Sequence, residues 1–188
     1  MGGSAMSGVL AAGGLGVLVA WVVFALAGWF VAAPLSVWLG GVVGALAVLL
    51  LRDTLPMRGL VALLAPFGVM LPALALRHMA ARLGLPVMPF GTVDLLVFLV
   101  AYIVFLASAM GALPVDIYRL GYAPFPVAMM VLAVCAYGLI TGNWFLPLVV
   151  VLGQALWIAG WGSSNWFDYV THVLLVPVAA VALMLRLF

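Results

Sequence analysis

The chain has 188 residues, of which 70% are hydrophobic and 5% charged. Soluble domains carry about a quarter charged residues, so a soluble globular domain is excluded and a polytopic membrane protein is indicated. The net charge of +2 rests on six Arg and four Asp with no Lys or Glu, which excludes a nucleic-acid surface and a retinal Schiff base. The Ala, Gly, Val, Leu and Arg bias fits a bacterial protein from a GC-rich genome. The expected location is the bacterial cytoplasmic membrane, crossed several times.

Met1–Ser7 carries no cation and does not read as a signal-peptide start. It reads as an appended or disordered leader ahead of Met6. The first apolar run, Val9 to Ala32, is long enough for a bilayer core of ~30 Å. Trp29 suits the headgroup level, and Trp21 is expected deeper, against another helix. Ala12, Gly16 and Ala20 form a small-residue stripe. The second run, Leu35 to Leu51, repeats Ser36, Gly40 and Gly44. Such a groove serves internal helix packing or an oligomer seam.

A polar turn with Arg52, Asp53 and Arg58 precedes the third run, Gly59 to Leu76. Pro66 and Pro72 should bend or break this run, or make it re-entrant. Arg77-His78 to Arg82 reads as a short surface helix, and Gly84 to Gly91 as an irregular loop. Thr92 is expected to cap the fourth run, which ends at Leu113, with Asp94 facing its positive dipole end. The connection from Pro114 to Pro126 holds Asp116, Tyr118 and Arg119. Asp116 and Arg119 are spaced to pair at i, i+3.

The fifth run, Val127 to Ile140, and the sixth, Trp144 to Gly160, should form a hairpin with Thr141-Gly142-Asn143 at its tip. Gln154, Tyr102, Ser108 and Tyr137 are the polar groups expected at mid-depth. No charged residue falls near the centre of any run, which counts against a proton-coupled carrier. The seventh run, Phe167 to Leu187, is expected as one helix with Pro177 inside it. The fold class is therefore an all-α membrane protein, a single polytopic domain with a bundle of six or seven transmembrane helices.

The stretch Trp161 to His172 concentrates polar groups in an otherwise apolar chain. In a helix from Ser164, residues Ser164, Asp168 and His172 share one face at i, i+4 and i+8. Two readings compete. In one, Asn165 and Asp168 cap the seventh helix. In the other, Asp168 and His172 are a catalytic or ligand-binding pair, the carboxylate setting the imidazole tautomer. Seven spans put Arg52, Asp53, Arg58, Asp116, Tyr118, Arg119, Asn165, Asp168 and His172 on one membrane side, with Arg77, His78, Arg82, Asp94 and Arg186 on the other. Arg119 is then the expected partner of Asp168, and His172 is expected to point inward. Each side holds three Arg, so orientation stays open.

The candidate catalytic residues are Asp168, His172, Asp116 and Arg119. The candidate binding residues are Ser164, Asn165, Tyr118, Gln154, Trp157, Trp161, Arg52 and Arg58. Trp157 and Trp161 would share one face of the sixth helix. No metal ligand set has the spacing of a structural zinc site, and Cys135 reads as a small core residue. No cofactor is expected, although a haem or pigment on His172 or His78 is an alternative.

The leading functional reading is a non-enzymatic membrane protein, either a small-solute carrier or channel, or an accessory subunit of a larger membrane complex. One rival is an interfacial enzyme acting on a lipid or isoprenoid. The expected partners are membrane lipids, with a homo-oligomer or larger complex possible and no nucleic acid.

Overall fold

A computed structural model describes residues 2–51, 53–64 and 68–187. These are helical, with no strand among the described residues. The elements are α1 (Gly2–Ala27), α2 (Ala33–Leu51), α3 (Leu55–Leu64), α4 (Met70–Arg82) and α5 (Thr92–Ala109). A 3-10 helix over Tyr118–Tyr122 follows, then α6 (Pro124–Thr141), α7 (Phe145–Ile158), α8 (Phe167–Val170) and α9 (Leu175–Leu187). α1 starts at Gly2, within the stretch expected as a leader.

Among the described residues four stretches are long and apolar enough to cross a membrane: Gly8–Ala27, Ala33–Leu51, Thr92–Ala109 and Pro124–Thr141. At 1.5 Å per residue, α7 and α9 reach only ~21 and ~20 Å, short of a ~30 Å hydrocarbon core.

The contacts fall into two compact units, Met1–Val87 with Gly160–Gly162, and Met88–Ala159 with Ser163–Phe188. In the first, α1 and α2 pack as a hairpin through their small residues. Ser36, Gly40 and Gly44 are buried. A methyl group on Gly44 would come 2.9 Å from Ala20 Cβ and 2.5 Å from the Gly16 carbonyl oxygen. The stripe therefore serves internal packing, because only bare backbone lets the helices approach this closely. Leu15 and Met57 are buried together against Leu18, Ala47 and Val61.

The third apolar run is not one helix. α3 stops at Leu64, Gly68 has φ 52°, and α4 starts at Met70. Pro66 lies outside the described residues, as does Arg52. Pro72 sits in the first turn of α4, where its missing N–H costs nothing. α4 packs on α1. Trp21 of α1 donates its indole N–H to His78 Nδ1 at 2.9 Å, so Trp21 does meet another helix.

In the second unit, α6 ends at Thr141 with Gly142 at φ 71°. The Thr141 hydroxyl donates to the Tyr137 carbonyl, and Asn143 Oδ1 accepts the Phe145 N–H at 3.2 Å. α7 then runs back along α6, with Pro147 packed onto Gly138. The expected hairpin is present. The cap of α5 differs in detail: Gly91, not Thr92, occupies the cap position. Its N–H is accepted by Asp94 Oδ2 at 2.8 Å. The other Asp94 oxygen accepts the Tyr137 hydroxyl.

The seventh run is also broken. α8 has four residues, Thr171 is extended at φ −108° and ψ 163°, and α9 begins only at Leu175. The physical reason is Pro177. In a continuous helix its ring would clash with the carbonyl four residues back, at Val173, and it offers no N–H to hold that turn. As the third residue of a new helix it is unstrained.

Candidate functional site

The polar groups of the second unit converge where two connections meet, the one between α5 and α6 and the one between α7 and α8. Ser108, near the end of α5, fixes the first of these. Its hydroxyl donates to the Val115 carbonyl and accepts the Ile117 N–H at 2.8 Å. Ser108 is buried at the helix end and not in the middle of a span. Asp116 then accepts the backbone N–H of Arg119 at 3.2 Å. The expected i, i+3 side-chain ion pair is thus a carboxylate capping a turn.

The 3-10 helix Tyr118–Tyr122 docks on the second connection. Asn165 is fully buried. Its Nδ2 donates to the Tyr118 carbonyl at 2.8 Å, and its Oδ1 accepts the Phe167 N–H at 2.9 Å. The Trp166 N–H donates to the Gly121 carbonyl at 2.9 Å. A methyl group on Gly121 would overlap Asn165 Oδ1 and reach within 2.7 Å of Phe167 Cδ2. Glycine is required here by close approach.

Asp168 is the charged centre. Tyr118 donates its hydroxyl to the carboxylate, 2.9 Å from Oδ1 and 3.0 Å from Oδ2. The Ser163 hydroxyl donates to Oδ2 and accepts the Asn165 N–H at 3.0 Å. Charge-assisted bonds of this kind are shorter and about twice as strong as neutral ones. Burial, then the Asp168 carboxylate, hold the Tyr118 hydroxyl well above the usual phenol range, so Tyr118 stays a donor. Burial and Asp168 push Tyr169 up as well. Aromatic rings wall the knot: Phe167 lies 4.5 Å from Phe105 and 6.2 Å from Tyr118 between ring centroids.

Several expected partnerships are replaced. Among the described residues Asp168 is held by Tyr118 and Ser163, and Arg119 makes no ion pair with it. Ser164, Asp168 and His172 do not line one helical face, because α8 ends at Val170. Asn165 binds the Phe167 N–H, but the helix it opens is a single turn. His172 is buried, as its inward direction requires, and its Nδ1 accepts the Leu174 N–H at 3.1 Å. That bond leaves the proton of a neutral ring on Nε2 and supports the entry to α9.

The remaining candidates are dispersed. The Trp157 indole donates to the Ser164 carbonyl at 2.9 Å, and the Ser164 side chain is exposed. Trp161 lies beyond the end of α7 at Ile158, so no helical face joins it to Trp157. Arg58 stands 3.7 Å from Asp53 in an exposed pair of the first unit. Gln154 Oε1, Trp166 Nε1 and Tyr169 OH are buried with no hydrogen-bond partner among the described residues. No cluster of three His, Cys, Asp or Glu side chains suited to a metal occurs among the described residues.

Sequence reasoning missed Ser163 and undervalued Tyr118. The signal for Ser163 was Ser-x-Asn, a hydroxyl two residues before an amide, which favours a local turn. Nothing in the spacing pointed to Tyr118 as the partner of Asp168, fifty positions on. No family model, curated protein or solved structure matches this chain.

Proposed function

We propose that the chain is a non-enzymatic accessory subunit of a larger membrane assembly, in the bacterial cytoplasmic membrane. Six or seven crossings are part of this reading, with α7 and α9 accommodated by local bilayer thinning or by their flanking turns. The observation that supports it is the state of Asp168. Both carboxylate oxygens take hydroxyl donors from within the chain, so its chemistry is used in joining two connections. The long helices meanwhile turn large apolar side chains outward, Trp38, Val97 and Leu132 among them. Lipid or neighbouring helices can cover such surfaces.

The test is extraction from the native membrane in a mild detergent, followed by a native gel. Co-migration with other subunits is expected. A monodisperse particle of the chain's own mass, 19.7 kDa, would overturn the reading.

A second reading, a small-solute carrier, draws on Gln154, Trp166 and Tyr169. Buried donors and acceptors without partners cost about 1–3 kcal/mol each, a cost that a polar solute would relieve. Net flux of a neutral solute through proteoliposomes, lost on Gln154→Leu, is what it requires. An interfacial enzyme would use Asp168 with its hydroxyl partners Tyr118 and Ser163.

A further inference from the structure

One line along α4 is apolar at one end and cationic at the other, and its His78 meets Trp21 and Phe24 of α1. Leu71, Ala75, His78 and Arg82 stand at i, i+4, i+7 and i+11, one line along the helix. Leu71 and Ala75 are buried, together with the adjacent Met79. His78 and Arg82 continue the same line but are exposed. Arg82 stands in the last turn of α4, where a cation suits the helix dipole and its side chain reaches outward.

α1 cannot supply a counter-charge, because Gly2–Ala27 contains no charged residue. It supplies an indole and a ring. Trp21 donates to His78 Nδ1 at 2.9 Å, and Phe24 meets the imidazole edge-on at 5.7 Å between centroids. This fixes the imidazole and leaves the Nε2 proton of the neutral ring free to donate. Arg82 lies one turn further along α4, close enough to act on His78 electrostatically. Among the described residues no acidic side chain contacts either of them.

Depth is informative as well. Trp21 stands six residues before the end of α1, about 9 Å along the axis at 1.5 Å per residue. Trp29 and Phe30 follow it, exposed, as suits a headgroup region. The exposed edge of the α1–α4 contact therefore lies near an interface and carries one full positive charge and one oriented N–H.

We propose that this exposed edge binds the phosphate of an anionic phospholipid, with Arg82 as the charge partner and His78 Nε2–H as the second donor. Basic pockets between membrane helices take acidic headgroups for this reason, and the guanidinium fork matches two phosphate oxygens. The exposed Val22 and Leu26 of α1 offer an apolar surface to an acyl chain. The proposal requires only that the chain be membrane-embedded, and is independent of an accessory role.

The experiment is native mass spectrometry of the full chain in neutral detergent, titrated with phosphatidylglycerol, phosphatidylcholine or inorganic phosphate. Phosphatidylglycerol should be retained in preference to phosphatidylcholine, and inorganic phosphate should not bind. Arg82→Gln should weaken phosphatidylglycerol retention about fivefold, the ratio corresponding to one basic side chain near an anionic headgroup. His78→Phe keeps the ring packing, removes the donor, and should weaken retention by a smaller factor. Arg186→Gln, in the other unit, should leave retention unchanged.

Equal retention of both lipids, or an unchanged Arg82→Gln protein, overturns the site. An equal loss in Arg186→Gln reduces it to a non-specific charge effect and overturns it too. Phosphate binding as tight as the lipid overturns the lipid assignment. If Arg82→Gln fails to fold, His78→Phe decides: full retention overturns the proposal, and a loss supports it.

Discussion

One hydroxyl, that of Tyr118, lies within 3.0 Å of both carboxylate oxygens of Asp168 across fifty positions of sequence. Ser163 adds a second hydroxyl donor. The pair ties the connection after α5 to the connection after α7. Tyr118→Phe removes a hydrogen bond to a charged group, which is worth about 1.5–3 kcal/mol. Loss of stability in that range is expected in a denaturant titration in micelles. Asp168→Asn should cost less, since one amide oxygen still accepts. An unchanged midpoint in Tyr118→Phe would remove the knot as a stabilising element.

The same pair gives an alkaline transition. The folded state holds the Tyr118 hydroxyl above its ordinary value, by burial first and the Asp168 carboxylate second. A group whose folded value is raised contributes stability that is fully present below its unfolded value, here about 10, and lost as pH rises beyond it. Melting temperature should therefore fall between about pH 10 and 12. Tyr118→Phe should flatten that fall, and a parallel fall in both proteins would assign it elsewhere.

A second pH dependence belongs to His78. Partial desolvation of its ring, then the charge of Arg82, lower its value in the folded state, and the Trp21 N–H needs an unprotonated Nδ1. A depressed value means stability present above the unfolded value, about 6.5, and lost as pH falls through the folded one. The α1–α4 contact should loosen as pH falls below about 6.5, read as faster hydrogen exchange at the α4 amides. Trp21→Phe should show the looser state already at pH 7.

Gly121→Ala places a methyl group on Asn165 Oδ1. Overpacking of this kind costs about 1–3 kcal/mol, and here it also displaces a fully buried amide that bridges Tyr118 and Phe167. Gly142→Ala should cost about 1–2 kcal/mol for the left-handed backbone alone. If thermal unfolding shows Gly142→Ala to be the more damaging change, the docking of the two connections is not the tighter constraint.

What the sequence made legible follows from local chemistry. The Gly142 and Asn143 turn needs only a left-handed residue and a short acceptor, so it could be placed from the letters alone. The stripe Ser36, Gly40, Gly44 was readable as a close-approach surface because helical period and side-chain size are both local. The partner of Asp168 was not, because a tyrosine fifty residues away carries no spacing signal. Arg119 looked the better partner on charge, yet its backbone N–H is engaged by Asp116 and its side chain stays exposed. The break in the seventh run is not legible in the letters, because a proline inside a kinked helix and a proline in the first turn of a new one have the same local sequence.

That proline belongs to a series. Pro72, Pro147 and Pro177 are each the third residue of their helix, in α4, α7 and α9. Each forbids the helix from extending backward through the carbonyl four residues earlier. A hydrophobic chain entering a membrane would otherwise gain by merging adjacent apolar stretches into longer helices. With the proline in place, the start of each of these helices is fixed by local chemistry. The positions of these helix starts therefore do not depend on the packing of Tyr118 on Asp168, which joins connections between helices already delimited.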